Sequence, residues 1–194
     1  MRLILGISGA TGPIYGIRLL EILKKKRIET HLIITSTAEK IILQETSYSV
    51  KEVKDLAASV YENDGLSAPI SSGSFKTDGM VIIPCSTKSL SGIAHSYNEN
   101  LLIRAADVTL KEMRRLVLVV RETPLHQGHL ELMLRASRTG AILLPPMPAF
   151  YFHPKTIDDL VNHTVGKVLD LFGIDHDLFK RWGSGATKKH IKAP

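Results

Sequence analysis

Five short apolar runs predict an α/β protein with a parallel sheet covered by helices on both faces. Each run is rich in Val, Ile and Leu, and each is followed by a stretch with helical spacing. None alternates polar with apolar residues, as a sheet with one wet face would. A chain of 194 residues with a hydrophobic share of 44% can bury one core of this kind. The expected organisation is a single domain over 1–182, built as a three-layer Rossmann-like or flavodoxin-like sheet, followed by a basic tail over 183–194.

The first strand covers residues 2–7, with the run Leu3-Ile4-Leu5-Gly6-Ile7. Gly6, Gly9 and Gly12 then punctuate a turn that also holds Ser8, Ala10 and Thr11. Pro13 suits the first helical position, where no N–H is needed, and Ile14, Ile17, Leu20 and Leu23 carry on at helical spacing. The turn is not the dinucleotide fingerprint, because residue 8 is serine, and no Gly-Lys-Ser follows to make a Walker loop. A glycine turn that opens a helix offers N–H groups and a positive dipole end to a phosphate. The other reading is a turn that needs glycine only for its backbone angles.

Residues 30–35 form the second strand, and Thr35, Ser36 and Thr37 at its end cap a helix over 38–46 or hold a ligand. Ser49 opens a short helix that reaches residue 58. Residues 65–77, rich in Ser and Gly, read as a loop bordering a ligand or another subunit. The third strand, 80–84, breaks into Cys85-Ser86-Thr87-Lys88-Ser89, a second hydroxyl cluster leading into a helix. A helix over 100–115 carries Arg104 and Lys111, and the fourth strand, 116–120, stops at Arg121-Glu122-Thr123-Pro124. A helix over 126–138 ends at Gly140, and residues 141–144 make the fifth strand. The prolines at 145, 146 and 148 force an extended exit toward Tyr151. Thr156 caps a last helix, 157–172, which carries Lys167; Trp182 follows in the tail.

In parallel sheets ligands bind at the carboxyl ends of strands. Those ends collect Ser8 to Thr11, Thr35 and Ser36, Ser86 to Ser89, Arg121 and Glu122, and Tyr151. Together they describe a pocket for a phosphorylated, hydroxyl-bearing, planar ligand.

Composition narrows the partners. The formal charge is +6, and Lys188, Lys189 and Lys192 in the tail supply half of it. The body is then mildly basic and carries no basic stripe interleaved with aromatics, which argues against nucleic acid. Cys85 is the only cysteine, so no intrachain disulfide forms, as suits a cytoplasmic protein. The first apolar run is too short for a signal-peptide core, and no run approaches membrane-spanning length. His126, His129, His153 and His163 show no metal-ligand spacing, and no metal is expected. Taken singly, Arg104 and Lys111 read as a solvated helix face, Arg121-Glu122 as a structural ion pair, and Cys85 as a small buried residue.

Five blocks together carry a resemblance. Gly9-Ala10-Thr11-Gly12, Pro84-Cys85-Ser86, the stretch from Arg104 to Glu112, Arg121-Glu122-Thr123-Pro124-Leu125 and the stretch from Pro146 to Tyr151 resemble, in order, the UbiX flavin prenyltransferases. The likeness runs from residue 2 to about Trp182. It implies an enzyme that joins a dimethylallyl group from dimethylallyl phosphate to reduced FMN without a metal. The prenylated FMN would serve a UbiD-type decarboxylase, in ubiquinone biosynthesis or aromatic-acid decarboxylation. It also implies a homo-oligomer, typically a dodecamer, with the flavin between subunits.

The family's roles carry over where positions match. Gly9, Ala10, Thr11, Thr35, Ser86, Thr87, Lys88, Ser89 and Arg121 would meet FMN. Tyr151, Lys167, Lys111 and Arg121 would meet the prenyl phosphate. Glu122, Lys111, Glu45, Thr11 and Arg104 would take part in the chemistry. Thr11 and Thr35 stand where relatives carry Ser, and each keeps a hydroxyl. Lys167 replaces the usual Arg, keeping the charge but losing the bidentate fork. Breaking an allylic C–O bond requires charge neutralised on the departing phosphate, which Arg and Lys can do in place of a metal. A carboxylate such as Glu122 suits the proton transfers, and Tyr151 and Trp182 could face a cation. Two alternatives stay open: an FMN-dependent decarboxylase of cysteinyl substrates, and a non-catalytic flavin carrier or subunit.

Overall fold

The computed structural model describes residues 1–181. Trp182 and the basic tail expected over 183–194 lie outside the described residues. The described residues divide into two compact units, Met1–Pro146 and a second that begins at Met147.

In the larger unit β1 (Arg2–Ile7) leads into α1 (Pro13–Lys25), and β2 (Glu29–Ile34) into α2 (Ser36–Glu45), α3 (Val50–Lys54) and β3 (Ser59–Tyr61). A single 3-10 turn at Pro69–Ser71 precedes β4 (Gly79–Cys85), α4 (Thr87–Ala94), α5 (Leu101–Lys111), β5 (Arg115–Val120), α6 (Gln127–Arg138) and β6 (Ile142–Leu143). The six strands pair in parallel in the order β3-β2-β1-β4-β5-β6. From β1 the chain winds outward to β3, then returns to β4 and winds the other way. Right-handed crossovers therefore put α1 to α3 on one face and α4 to α6 on the other.

Alternate strand residues face opposite sides of the sheet. Ile4, Met80, Ile82, Leu116 and Leu118 form one buried cluster with Leu90 and Ile93 of α4 and Leu102 and Ala106 of α5. Each such aliphatic side chain contributes about 1.5–3 kcal/mol when fully buried.

The observed elements differ most from the expected ones at four places, the first being the helix expected to reach residue 58, which ends at Lys54. A sixth strand, Ser59–Tyr61, pairs His31 with Ser59 and Ile33 with Tyr61. At three half-buried residues it lacks the apolar run that marks the other strands. The helix expected to reach Arg115 stops at Lys111, because Met113 turns the backbone to φ 55 and Arg115 already belongs to β5. The last strand keeps two paired residues, Ile142 and Leu143.

In the smaller unit, α7 (Ile157–Leu171) is opened by a reciprocal cap. Thr156 Oγ1 accepts from the Asp159 N–H at 3.2 Å, while Asp159 Oδ2 accepts from the Thr156 N–H at 2.9 Å. Val161, Val165, Val168 and Leu169 make its buried stripe.

Candidate functional site

The strand order reverses between β1 and β4, so their carboxyl ends flank the crevice where such sheets bind ligands. One buried hydroxyl ties these ends together. Ser8 Oγ donates to the Pro84 carbonyl at 3.0 Å and accepts from the Ser86 N–H at 2.7 Å. The hydroxyl fixes the first loop against the third, and Ser8 is 1% exposed.

The glycine turn is shaped by contacts on both sides. The Ala10 N–H donates to the Ser8 carbonyl at 2.8 Å, which folds Ala10 and Thr11 into a tight bend. A Cβ on Gly9 would come within 2.6 Å of Thr37 at the start of α2, so only glycine fits. Gly12 has φ 88, the left-handed region open to glycine. Its N–H donates to Glu45 Oε2 at 2.8 Å. The expectation of a phosphate on this N–H therefore meets a carboxylate already there.

Thr35 ends β2 and caps α2: its N–H donates to the Ile7 carbonyl at 3.0 Å, and its Oγ1 accepts from the Ala38 N–H at 3.2 Å. Ser86 does the same for α4, accepting from the Ser89 N–H at 3.3 Å and donating to Ser89 Oγ at 3.1 Å. Thr87 and Lys88 sit on the first turn of that helix, with Lys88 exposed. They open onto a cleft of about 610 Å³ whose lining also includes His95, His126, His129 and Arg135. The Arg121 N–H donates to the Cys85 carbonyl at 3.0 Å, which continues β5 alongside β4. Burial pushes the Tyr15 phenol up, against the opposing pull of the Arg121 charge. Glu122 Oε1 accepts from the Thr123 N–H at 2.9 Å. Cys85 is fully buried, and burial pushes its thiol up to about 12, so it stays protonated and is no nucleophile.

The ends of β2, β1, β4 and β5 are consecutive in the sheet, so Thr35, Ser8 to Gly12, Ser86 to Ser89, and Arg121 with Glu122 line one edge roughly 14 Å across. The loops along this edge thus carry hydroxyls and a guanidinium, residue types suited to the polar edge and phosphate of a flavin.

Lys111 is not brought to this edge within one chain. α5 runs back along the sheet, so Lys111 stands beside the start of β5. A strand of that length covers roughly 20 Å, which separates Lys111 from Arg121. Lys111 is paired with Glu112, whose carboxyl it holds below the usual range, with Arg114 adding to the effect. Arg104 donates through Nε to the Ser71 carbonyl at 3.1 Å and pairs through Nη1 with Asp107 at 3.2 Å.

In the smaller unit the Tyr151 hydroxyl lies 3.1 Å from His163 Nε2. Lys167 follows His163 by one helical turn, its Nζ 3.9 Å from Asp170 Oδ2. Arg181 holds Asp170 far more closely, at 2.7 and 3.1 Å, and is the main reason the Asp170 carboxyl sits below its usual range. The Lys167 charge is thus only loosely held.

Comparison with known proteins gives these positions a context. The family described as Flavoprotein matches residues 1–169. The flavin prenyltransferase UbiX of Thauera aromatica is 53% identical over 193 residues, covering all of both chains. The chain belongs to the UbiX flavin prenyltransferase family. A UbiX solved in complex with FMN and dimethylallyl pyrophosphate superposes with a TM-score of 0.92 at 46% identity, over 93% of this chain and 96% of that one. A dodecameric FMN-dependent UbiX-like protein of Escherichia coli O157:H7 gives 0.92 at 51% identity, over 94% and 99%. The cysteine decarboxylase alternative fares differently: one such FMN-dependent enzyme reaches a TM-score of 0.60 at 12% identity, a likeness of fold alone.

Sequence reading gathers Ser8 with the other strand-end residues but assigns it no role; the structure makes it the tie between two loops. Its signal was there: a small hydroxyl in a strand end otherwise buried and apolar, where an unpaired polar group is costly.

Proposed function

We propose that this chain transfers a dimethylallyl group from dimethylallyl phosphate to reduced FMN. The observation that carries the reading is the convergence of four strand-end loops, with their hydroxyls, backbone donors and Arg121, on the switch point of a UbiX-family sheet. Gly9, Ala10, Thr11, Thr35 and Ser86 to Ser89 hold the flavin, with Arg121 beside it. Reduced FMN supplies the nucleophilic ring positions. Tyr151, Lys167 and Arg121 hold the donor phosphate and neutralise the charge that grows on it as the allylic C–O bond breaks. Glu122 takes up a proton when the new ring closes. Glu45 and Thr11 support this relay from the glycine turn.

Lys111, with Arg104 on the same helix, reaches the phosphate from a neighbouring copy, because its own chain keeps Lys111 about 20 Å from Arg121. The working form is therefore a homo-oligomer, a dodecamer on the pattern of the E. coli relative. The product passes to a UbiD-type decarboxylase in the cytoplasm, and residues 1–182 act as one flavin-binding domain.

Anaerobic incubation with reduced FMN and dimethylallyl phosphate, followed by mass and absorbance of the flavin, tests the activity. The expected flavin carries one added five-carbon unit and an altered spectrum. FMN recovered unmodified overturns the reading.

A further inference from the structure

The smaller unit holds a cluster of rings around His163, of which the proposed chemistry uses only Tyr151. Phe152 stacks on the imidazole at 5.1 Å with the planes 7° apart, and Phe179 lies across it at 4.7 Å. Tyr151 meets it edge-on at 5.7 Å. These contacts fix the plane of the imidazole and so the direction of Nε2, which lies 3.1 Å from the Tyr151 hydroxyl. Burial, and then the Lys167 charge, hold His163 below the usual histidine range. The ring is therefore neutral near pH 7, with one N–H to donate.

On the reading that Tyr151 holds the prenyl phosphate, we infer that His163 is a positioning residue for the donor: its Nε2–H donates to the Tyr151 phenolic oxygen, leaving the phenol O–H to point at a phosphate oxygen. A phenol has one proton to give. If His163 Nε2 were the acceptor, that proton would be turned away from the phosphate. With Nε2–H donating, the two bonds run in one direction and each strengthens the other. Lys167, four residues on, presents its ammonium on the same face of α7. One helix face thus orients a neutral donor and supplies a charge.

The test uses the full-length protein and dimethylallyl phosphate as probe, with His163→Phe, His163→Gln, Tyr151→Phe and the Tyr151→Phe/His163→Phe double variant. Phe keeps the ring packing and removes the nitrogen; Gln keeps an N–H donor. We expect His163→Phe to raise the KM for dimethylallyl phosphate about fivefold, the worth of one neutral hydrogen bond, with kcat and FMN affinity little changed. His163→Gln should restore most of the loss, and His163→Phe should add nothing in the Tyr151→Phe background. An unchanged KM in His163→Phe overturns the inference, as does a loss that persists when Tyr151 is already Phe. Failure of the parent protein to prenylate FMN overturns the activity on which it rests, a different result from either.

Discussion

The two edges of the sheet are built on opposite electrostatic plans. At the amino edge charges answer one another. Arg2 pairs with Glu29 at 2.9 Å, and Glu29 also meets His31 Nε2 at 3.0 Å. His31 Nδ1 lies 2.9 Å from the Tyr61 hydroxyl, and the Arg2 guanidinium lies 4.7 Å over Phe75. Arg114 is bound to the carbonyls of Gly73 and Phe75. At the carboxyl edge the side chains of Ser8, Thr35, Ser86, Glu45 and Glu122 bond to backbone groups of the loops. The amino edge closes the fold with matched ions; the carboxyl edge shapes loops with hydroxyls and carboxylates and so presents a surface for a ligand.

Five measurements break or sharpen this contrast. The largest effect is expected from Glu122→Gln, which should keep FMN bound yet slow prenylation at least about tenfold; single-turnover kinetics after FMN titration checks it. Its counterpart at the other edge, Glu29→Gln, should lower thermal stability and leave turnover unchanged. A rate loss in Glu29→Gln would erase the division between edges. Ser8→Ala leaves the part-buried Ser86 N–H without its partner, a loss of about 1–3 kcal/mol seen in denaturant unfolding, and should weaken FMN binding by loosening the crevice.

Lys167→Ala should weaken dimethylallyl phosphate binding several-fold while FMN affinity holds, measured by titrating each ligand separately. The smallest effect concerns Cys85. Its folded thiol binds a proton more tightly than the unfolded one, so its contribution is complete below the unfolded value near 9.0 and falls as pH rises toward about 12. Cys85→Ala should flatten that part of the stability profile relative to the parent.

The strands of the sheet's centre were legible because burial on both faces leaves unbroken runs such as Met80 to Ile83 and Leu116 to Val120. Ser59–Tyr61 was not, because an edge strand is specified by its partner rather than by its own pattern. Loop residues at the carboxyl edge were legible as a class, since hydroxyls gathered after every strand. Their partners were not: sequence spacing gives no hint that Glu45 reaches Gly12 across 33 residues. Arg104 and Lys111 show the same limit from the other side. The resemblance assigns them to the chemistry, and the direction of α5 takes Lys111 away from it within a single chain.

The grip of Glu45 on Gly12 has one more consequence. The helix behind the glycine turn carries its own counter-ion, supplied from the far end of the next helix in the chain. An incoming dianion must either evict that carboxylate or settle on another loop, so affinity here is set by a contest between an intramolecular acid and a diffusing one. Neutralising Glu45 would make this helix end the most attractive berth for phosphate on the edge, and would change where a ligand lies before it changes how fast anything reacts.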